Sequence, residues 1–283
     1  MKHRRLRFYL VVVLLLQLRV VACASDTPAE GSKVAIKTSF APREVRDYNI
    51  DAVISGRAIP SDSPNPVELN ASFHLEVRHR YGRREGDGLL PVEITLLKGN
   101  VATDGGKLEL APSLYPKLTV LVDREWRISD IFGMPEERLA ESIPGINYAN
   151  HIILFYLPGA AEPRNLGERW SYTVRIPALR ESYEFTNAII REIEVDGVKA
   201  AVVKQEIVRL PEASERGPRA KFKATAESTF SIEGGRLLKS HAECEIAFLS
   251  NKTNVTSQQV DSSLSQATVR IDISPIKKRT QTE

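Results

Sequence analysis

Residues 226–248, AESTFSIEGGRLLKSHAECEIAF, contain the pattern that decides the fold of this chain. Small or apolar residues recur at every second position over 226–232, and a Glu-Gly-Gly turn follows at 233–235. The alternation resumes over 238–248, where charged residues occupy the positions between. Period-two alternation is typical of strands with one buried face, and glycines permit the positive φ angles of tight turns. The stretch therefore predicts a long antiparallel hairpin.

The same alternation recurs along most of the chain. It is clear over 72–81, where Phe73 and Val77 fall on one side of a strand and the charged residues on the other. Hairpin turns are predicted at Asp196-Gly197 and within VLVDREWRISDIFG at 120–133. One-sided alternation favours antiparallel over parallel sheets. We therefore predict a mainly β protein of strongly curved antiparallel sheets, half-barrel or barrel-like.

Two similar halves are predicted, because the chain twice begins with comparable strands. VRDYNIDAVISG opens the first half, 43–160, and GERWSYTVRIP opens the second half, 161–276. Each half continues with hairpins, and no proline- or glycine-rich linker separates them. The halves are either two domains or parts of one barrel. A basic tail follows at 277–283.

A short helical insert is predicted at 135–157. Pro135 and the acidic residues after it suit the first turn of a helix, and Pro144-Gly145 would end it. The run HIILFYLPG, from residue 151, is apolar on all sides. It is predicted to be either a buried strand or a second short helix beneath the sheet.

The first 22 residues have the three parts of a secretory signal: a basic start, a short apolar run and small residues at its end. The apolar run is too short to be a stable membrane span. Two cleavage sites are compatible with the sequence. A lipobox, Val20-Val21-Ala22-Cys23, would leave Cys23 lipidated at the new N-terminus, whereas ordinary cleavage after Ala24 would remove Cys23. We adopt the lipobox interpretation, with a flexible tether at 23–42.

The VVAC motif and the β pattern together resemble bacterial exported lipoproteins. The domain after the signal resembles, in architecture only, the half-barrel lipoprotein carriers and the mycobacterial lipid-binding lipoproteins. The resemblance implies a cell-envelope protein at the periplasmic face of the outer membrane or at the cell surface, anchored through Cys23. Without lipidation it implies a periplasmic or secreted protein.

Composition and motifs argue against several functions. Removing the five basic residues of 1–22 from the 39 in the chain leaves 34, against 36 acidic residues, so no basic surface for nucleic acid is expected. Neither a nucleophile motif nor a metal-ligand motif occurs, so we predict no catalytic residues, metal or cofactor. Cys244 falls on the apolar side of its predicted strand and is predicted to be a structural thiol.

The sequence therefore predicts a non-enzymatic protein that binds a lipid or other hydrophobic ligand in a concave β scaffold. Large apolar residues near the insert are the candidates to line the cavity. They are Trp126, Phe132, Ile152, Ile153, Phe155, Leu157 and Trp170. Two alternatives remain: a structural or protein-interaction module of the envelope whose core is filled, and a hydrolase without a recognisable motif.

Overall fold

The computed structural model describes residues 33–58, 66–84, 86, 88–112, 117–133, 152–176, 181–210, 221–250 and 263–277. These residues belong to one compact unit, 33–283. The described strands are β1 (Lys33–Val34), β2 (Lys37–Thr38), β3 (Val45–Ala58), β4 (Val67–Tyr81), β5 (Leu90–Thr103), β6 (Gly106–Leu110), β7 (Leu118–Val122), β8 (Ile128–Phe132), β9 (Arg164–Asn165), β10 (Arg169–Ile176), β11 (Glu181–Val195), β12 (Val198–Leu210), β13 (Lys221–Ser231), β14 (Glu233–Gly234), β15 (Leu237–Ser250) and β16 (Ser263–Pro275).

Twelve of the described strands form one antiparallel sheet. Eleven follow the order β10-β11-β12-β13-β15-β16-β3-β4-β5-β7-β8, and β6 pairs with β5 beside them. The pairing of β16 with β3 joins strands from the two predicted halves, 43–160 and 161–276, in this sheet. The boundaries of those halves as domains stay a prediction.

The sheet curves until its two ends meet. The edge strands β8 and β10 lie next to each other, although no backbone ladder joins them among the described strands. We call this line between β8 and β10 the seam. The result is a nearly closed, barrel-like antiparallel sheet, which confirms the predicted fold class.

Because apolar and polar residues alternate along each long strand, one face of the strand points into the interior of the sheet. On β13 the even-numbered residues Phe222 to Phe230 are buried and the odd-numbered ones lie outside or are only partly covered. On β15 the inward residues include Ala242 and Cys244, as the sequence predicts. A bulge between Thr229 and Phe230 shifts the register, so Leu237 rather than Leu238 is buried near the turn.

One turn and one close contact between strands show why their residues are required. Asp196 and Gly197 have φ angles of 51° and 78° and connect β11 to β12 directly. Two consecutive positive φ angles are the geometry of a type I′ hairpin turn, so the predicted hairpin is confirmed. At Gly56, an added Cβ would lie 2.2 Å from the Gln266 carbonyl oxygen, so β3 and β16 approach closely only because this residue is glycine.

Residues 33–44, which we call the strap, run past the strand ends at one end of the sheet. β1 pairs with β9, and β2 pairs in parallel with β14. Further along, the amide of Arg43 donates to the carbonyl of Tyr81 at 2.8 Å. The predicted tether, 23–42, therefore overlaps the folded unit from Lys33 onward, and residues 23–32 lie outside the described residues.

The predicted insert is only partly described. Ile152–Phe155 forms a single 3₁₀ turn, and all four residues are buried. The apolar run is therefore a short helical turn rather than a strand. The predicted helix from Pro135 to about Ser142 lies outside the described residues. No helix among the described residues is long and apolar enough to span a membrane.

Candidate functional site

An apolar segment, 152–157, is buried against the inner face of the sheet. Each of its residues is at most 5% exposed. Its continuation is fixed at two points: the indole nitrogen of Trp170 donates to the carbonyl of Pro158 at 2.9 Å, and the amide of Ile36 donates to the carbonyl of Ala160 at 2.8 Å. These bonds satisfy backbone carbonyls that burial would otherwise leave unpaired. The segment is thereby held between β10 and the strap.

Phe155 makes the main aromatic contacts of this segment. Its ring centroid lies 4.8 Å from that of Tyr48 on β3 and 4.4 Å from that of His79 on β4. Tyr48 and His79 are themselves 5.2 Å apart, and both are fully buried. The inward faces of β3 and β4 therefore form an aromatic wall against which the segment packs.

Most of the candidate residues named from the sequence are interior. Their positions fall into three groups. Ile152, Ile153, Phe155, Leu157 and Trp170 are buried, Trp126 is half-buried in the β7–β8 turn, and Phe132 is 52% exposed on β8. The first five share one hydrophobic core, against which Trp126 packs. Phe132 presents its side chain to the outside instead.

Trp126 belongs to the strap end of the sheet. Its φ of 67° is unusual for a bulky residue, and the Asp123 carboxylate supports the turn by accepting bonds from the amides of Glu125 and Arg127. The indole packs edge-on against Phe40 of the strap at 4.8 Å. The turn thus helps to cover this end of the interior.

A polar group lies beneath the strap, among otherwise apolar surroundings. It consists of Arg46, Tyr48, Tyr81 and Tyr156, which we call the Arg46 cluster. The three tyrosines are at most 3% exposed, and the side chain of Arg46 is 11% exposed. Arg46 also lies 4.5 Å from the ring centroid of Phe40, which stacks on Tyr81 at 4.0 Å. The strap therefore shields the cluster from water.

The hydrogen bonds of the Arg46 cluster are incomplete. The Nε and Nη2 atoms of Arg46 both donate to Oε1 of Glu44, at 2.8 and 2.6 Å. The Nη1 atom of Arg46 and the hydroxyl of Tyr156 are buried without a hydrogen-bond partner. Unpaired buried donors are uncommon because each loses its bonds to water. The cluster therefore has two unused donors.

Burial and charge shift the ionisation of this cluster. Burial raises the pKa of Tyr48 and of Tyr81, and the Arg46 guanidinium only partly opposes the rise. Burial alone would raise the pKa of Glu44, but hydrogen bonds from Arg46 and from the Ala41 amide outweigh it, so the pKa is lowered. The tyrosines are thus neutral and Glu44 is ionised at neutral pH.

A second buried polar row crosses the opposite wall. The amide of Gln205 donates to Oδ1 of Asn187 at 3.2 Å and accepts from the Ser228 hydroxyl at 3.0 Å. Ser228 and Ser240 share a further bond of 2.9 Å. The four residues come from adjacent strands β11, β12, β13 and β15 and are almost wholly buried. These hydrogen bonds join four adjacent strands. They help to specify how the strands pair, which apolar contacts alone would not do.

The end of the sheet opposite the strap contains a paired carboxylate. Glu181 accepts from the hydroxyl of Tyr183 and from Nε of Arg209, the latter at 3.2 Å. Nearby, burial raises the pKa of the Cys244 thiol to about 12. A thiol with so high a pKa is a weak nucleophile, which agrees with the structural role expected for Cys244.

On the outer face of the sheet, two histidines contact carboxylates at hydrogen-bond distance. His74 contacts Asp51 at 2.7 Å, and His241 contacts Asp272 at 2.8 Å. His79 faces inward, opposite to Arg78 and Arg80, as strand alternation requires. Within the described residues, no group of three or more His, Cys, Asp or Glu side chains is placed to hold a metal ion.

Comparisons with known proteins give only distant likenesses. No protein-family model matches the chain, and no curated protein matches it. A solved structure titled "Lipid-protein interactions in lipovitellin" is similar over 84% of this chain at 11% identity, with a TM-score of 0.45. This chain spans about a quarter of that protein's length, 26%. DynF, from the dynemicin biosynthesis pathway of Micromonospora chersina, is similar over 90% of both chains at 11% identity, with a TM-score of 0.23.

The sequence-based candidates did not include the Arg46 cluster. One signal was present: Arg46 has the same strand parity as Tyr48 and Ile50, so alternation places a guanidinium on the inward face of β3. A charged residue in an inward position needs a partner or a function. Tyr156 offered no comparable signal, since only the fold brings it to β3.

Proposed function

We propose that this is a non-enzymatic exported protein that binds a lipid or other hydrophobic ligand inside its barrel-like sheet. The observation that carries the proposal is the size of the nearly closed sheet together with its apolar inner face. Barrels of about eight strands are just filled by their own side chains, whereas larger ones enclose further material. Segment 152–157 supplies part of that material, and a ligand would supply more.

One wall of the interior is lined by small side chains. Ala226 pairs with Ala242 across β13 and β15, and Ala267 pairs with Gly56 across β16 and β3. These alanines are at most 5% exposed. Because small side chains project little into the interior, other apolar groups must pack against this wall to bury it. An acyl chain has the shape and chemistry to lie along it.

The seam offers a route of entry. Elsewhere in the described sheet, opening the wall would break a continuous ladder of backbone hydrogen bonds. At the seam, β8 and β10 are in contact without such a ladder, so they can part at lower cost.

The proposed anchor is a lipid on Cys23. The support is the VVAC motif after an apolar signal, and two or more acyl chains would hold the protein at a membrane more firmly than one. The proposed location is the periplasmic face of the outer membrane or the cell surface. Metabolic labelling with a fatty acid tests the anchor: the native chain should be labelled, and a Cys23→Ala variant that is still labelled would refute it.

Native mass spectrometry tests ligand binding. Residues 25–283 contain every described element and lack both the signal and Cys23. We expect the purified chain to carry an adduct of a few hundred daltons that organic extraction removes and lipid incubation restores. A clean chain mass, unchanged after incubation with envelope lipids, would contradict the proposal.

The alternative is a protein-interaction module with a filled interior. The packing of Phe155 against Tyr48 and His79 favours it, because these rings already occupy part of the interior. Under this alternative, mass spectrometry would find the chain without an adduct. The immobilised chain would retain a protein partner from a membrane extract.

A further inference from the structure

We propose that the ligand is a single-chain fatty acid whose carboxylate is bound by Nη1 of Arg46 and the hydroxyl of Tyr156. This inference rests on the proposed function, since it assumes a ligand in the interior, and it adds the chemistry of the head group. Neither residue was assigned a role by the sequence.

Two unused hydrogen-bond donors support this assignment of the head group. Nη1 of Arg46 and the Tyr156 hydroxyl are both buried without partners, although the other two donor atoms of the guanidinium are bonded to Glu44. A carboxylate has two oxygens that accept hydrogen bonds and none that donates when ionised. Both residues interact with the Tyr48 side chain, and a carboxylate beside Tyr48 would satisfy both donors without introducing a new unpaired group.

The charges around Arg46 also favour an anionic head group. Glu44 is bonded to Arg46 and also lies 3.6 Å from Nη2 of Arg236. One carboxylate thus faces two guanidinium groups: that of Arg46, whose side chain is 11% exposed, and that of Arg236, whose side chain is 57% exposed. Together these three side chains carry one net positive charge, and the part of it on Arg236 is in contact with solvent. A monovalent anion would neutralise it, whereas an ester or an alcohol would not. Asp47, the next acidic residue along β3, pairs with Arg78 instead at 2.8 Å.

The inward faces of β3 and β16 form an apolar track against which an acyl chain can pack. Beyond Tyr48, the inward residues of β3 are apolar and end at Gly56, which lies at the end of the sheet opposite the strap. The neighbouring inward residues of β16 run from Ile273 to Ala267 alongside them. The six steps of extended strand between residues 50 and 56 span roughly 20 Å. A long acyl chain can lie along this track while its head group remains at Arg46.

The test compares oleate with methyl oleate, which differ only in the charged head group. Both are titrated into residues 25–283 of the native protein, of Arg46→Gln and of Tyr156→Phe, at pH 7.5. Arg57→Gln is the matched control, because Arg57 lies on the same strand but points outward with 70% of its side chain exposed. Dissociation constants are measured by calorimetry, and circular dichroism checks folding.

We expect oleate to bind the native protein and the Arg57→Gln control about tenfold to a hundredfold more tightly than methyl oleate. Arg46→Gln should abolish that preference while retaining methyl oleate binding. Tyr156→Phe should reduce it several-fold. If Arg46→Gln does not fold, the preference of Tyr156→Phe for oleate over methyl oleate tests the inference instead.

The failures can be told apart. Equal binding of both probes to all four proteins would overturn the inference and leave the proposed function standing. Binding of neither probe to the native protein would overturn the inference, and the adduct found by native mass spectrometry would then decide the proposed function. A preference for oleate that survives in Arg46→Gln and Tyr156→Phe would place the head group elsewhere and refute the assignment.

Discussion

The hydroxyl of Tyr156 is buried and unpaired, so the substitution Tyr156→Phe is expected to stabilise the ligand-free protein. The residue is 3% exposed, and its hydroxyl has no hydrogen-bond partner. Burial of an unsatisfied polar group costs about 1–3 kcal/mol. Phenylalanine keeps the ring and its packing, so the gain should approach this figure, less the small void left by the missing oxygen. We expect about 1 kcal/mol.

Urea unfolding followed by circular dichroism measures this change on extracted, ligand-free protein. A higher midpoint with an unchanged slope would show increased stability. Tyr183→Phe is the matched control, because its hydroxyl does donate a hydrogen bond, to Glu181. The control should therefore lose stability. A loss of more than about 0.5 kcal/mol in Tyr156→Phe would refute the reasoning, since it would mean that the hydroxyl makes a favourable bond.

Three further predictions concern the scaffold. Gly56→Ala should destabilise the sheet by about 1–3 kcal/mol, because the new Cβ would meet the β16 backbone, whereas Gly86→Ala, with nothing within 4 Å, should have little effect. Thermal unfolding of both variants checks this, and equal stability would contradict it. Cys244 should resist a thiol reagent at pH 8 and react fully in guanidinium, because burial raises its pKa to about 12; rapid native labelling would refute its burial. Since the pKa of Glu44 is lowered in the folded state, its contribution to stability is present above pH 4.5 and lost as pH falls further. Glu44→Gln should flatten the acid limb of the stability curve relative to the native chain, and an identical slope would contradict the pairing.

Local patterns in the sequence determine much of the sheet. The hairpin at Asp196-Gly197 and the buried face of β13 were both predicted, because side-chain alternation and turn chemistry depend on neighbouring residues. The bulge between Thr229 and Phe230 was not, since a bulge depends on how two strands fit together. Because of the resulting register shift, Leu237 is buried in the core and Leu238 is not.

The residues of the candidate site were harder to predict from the sequence than the strands and turns. Five of the seven candidate residues are buried, because large apolar residues in a β protein usually are. The contact between Tyr48 and Phe155 joins residues 107 positions apart, and no local sequence pattern predicts a contact over such a separation. The strap was similarly predicted as a tether, because its short strands β1 and β2 pair only with distant partners.

The most direct test of the central claim is a crystal structure of residues 25–283 with a terminally brominated fatty acid. We expect the anomalous signal of bromine inside the sheet, along the inward faces of β3 and β16, with the carboxylate within 3.5 Å of Arg46. Bromine on the outer surface alone, or an interior filled only by protein at full ligand concentration, would contradict the account.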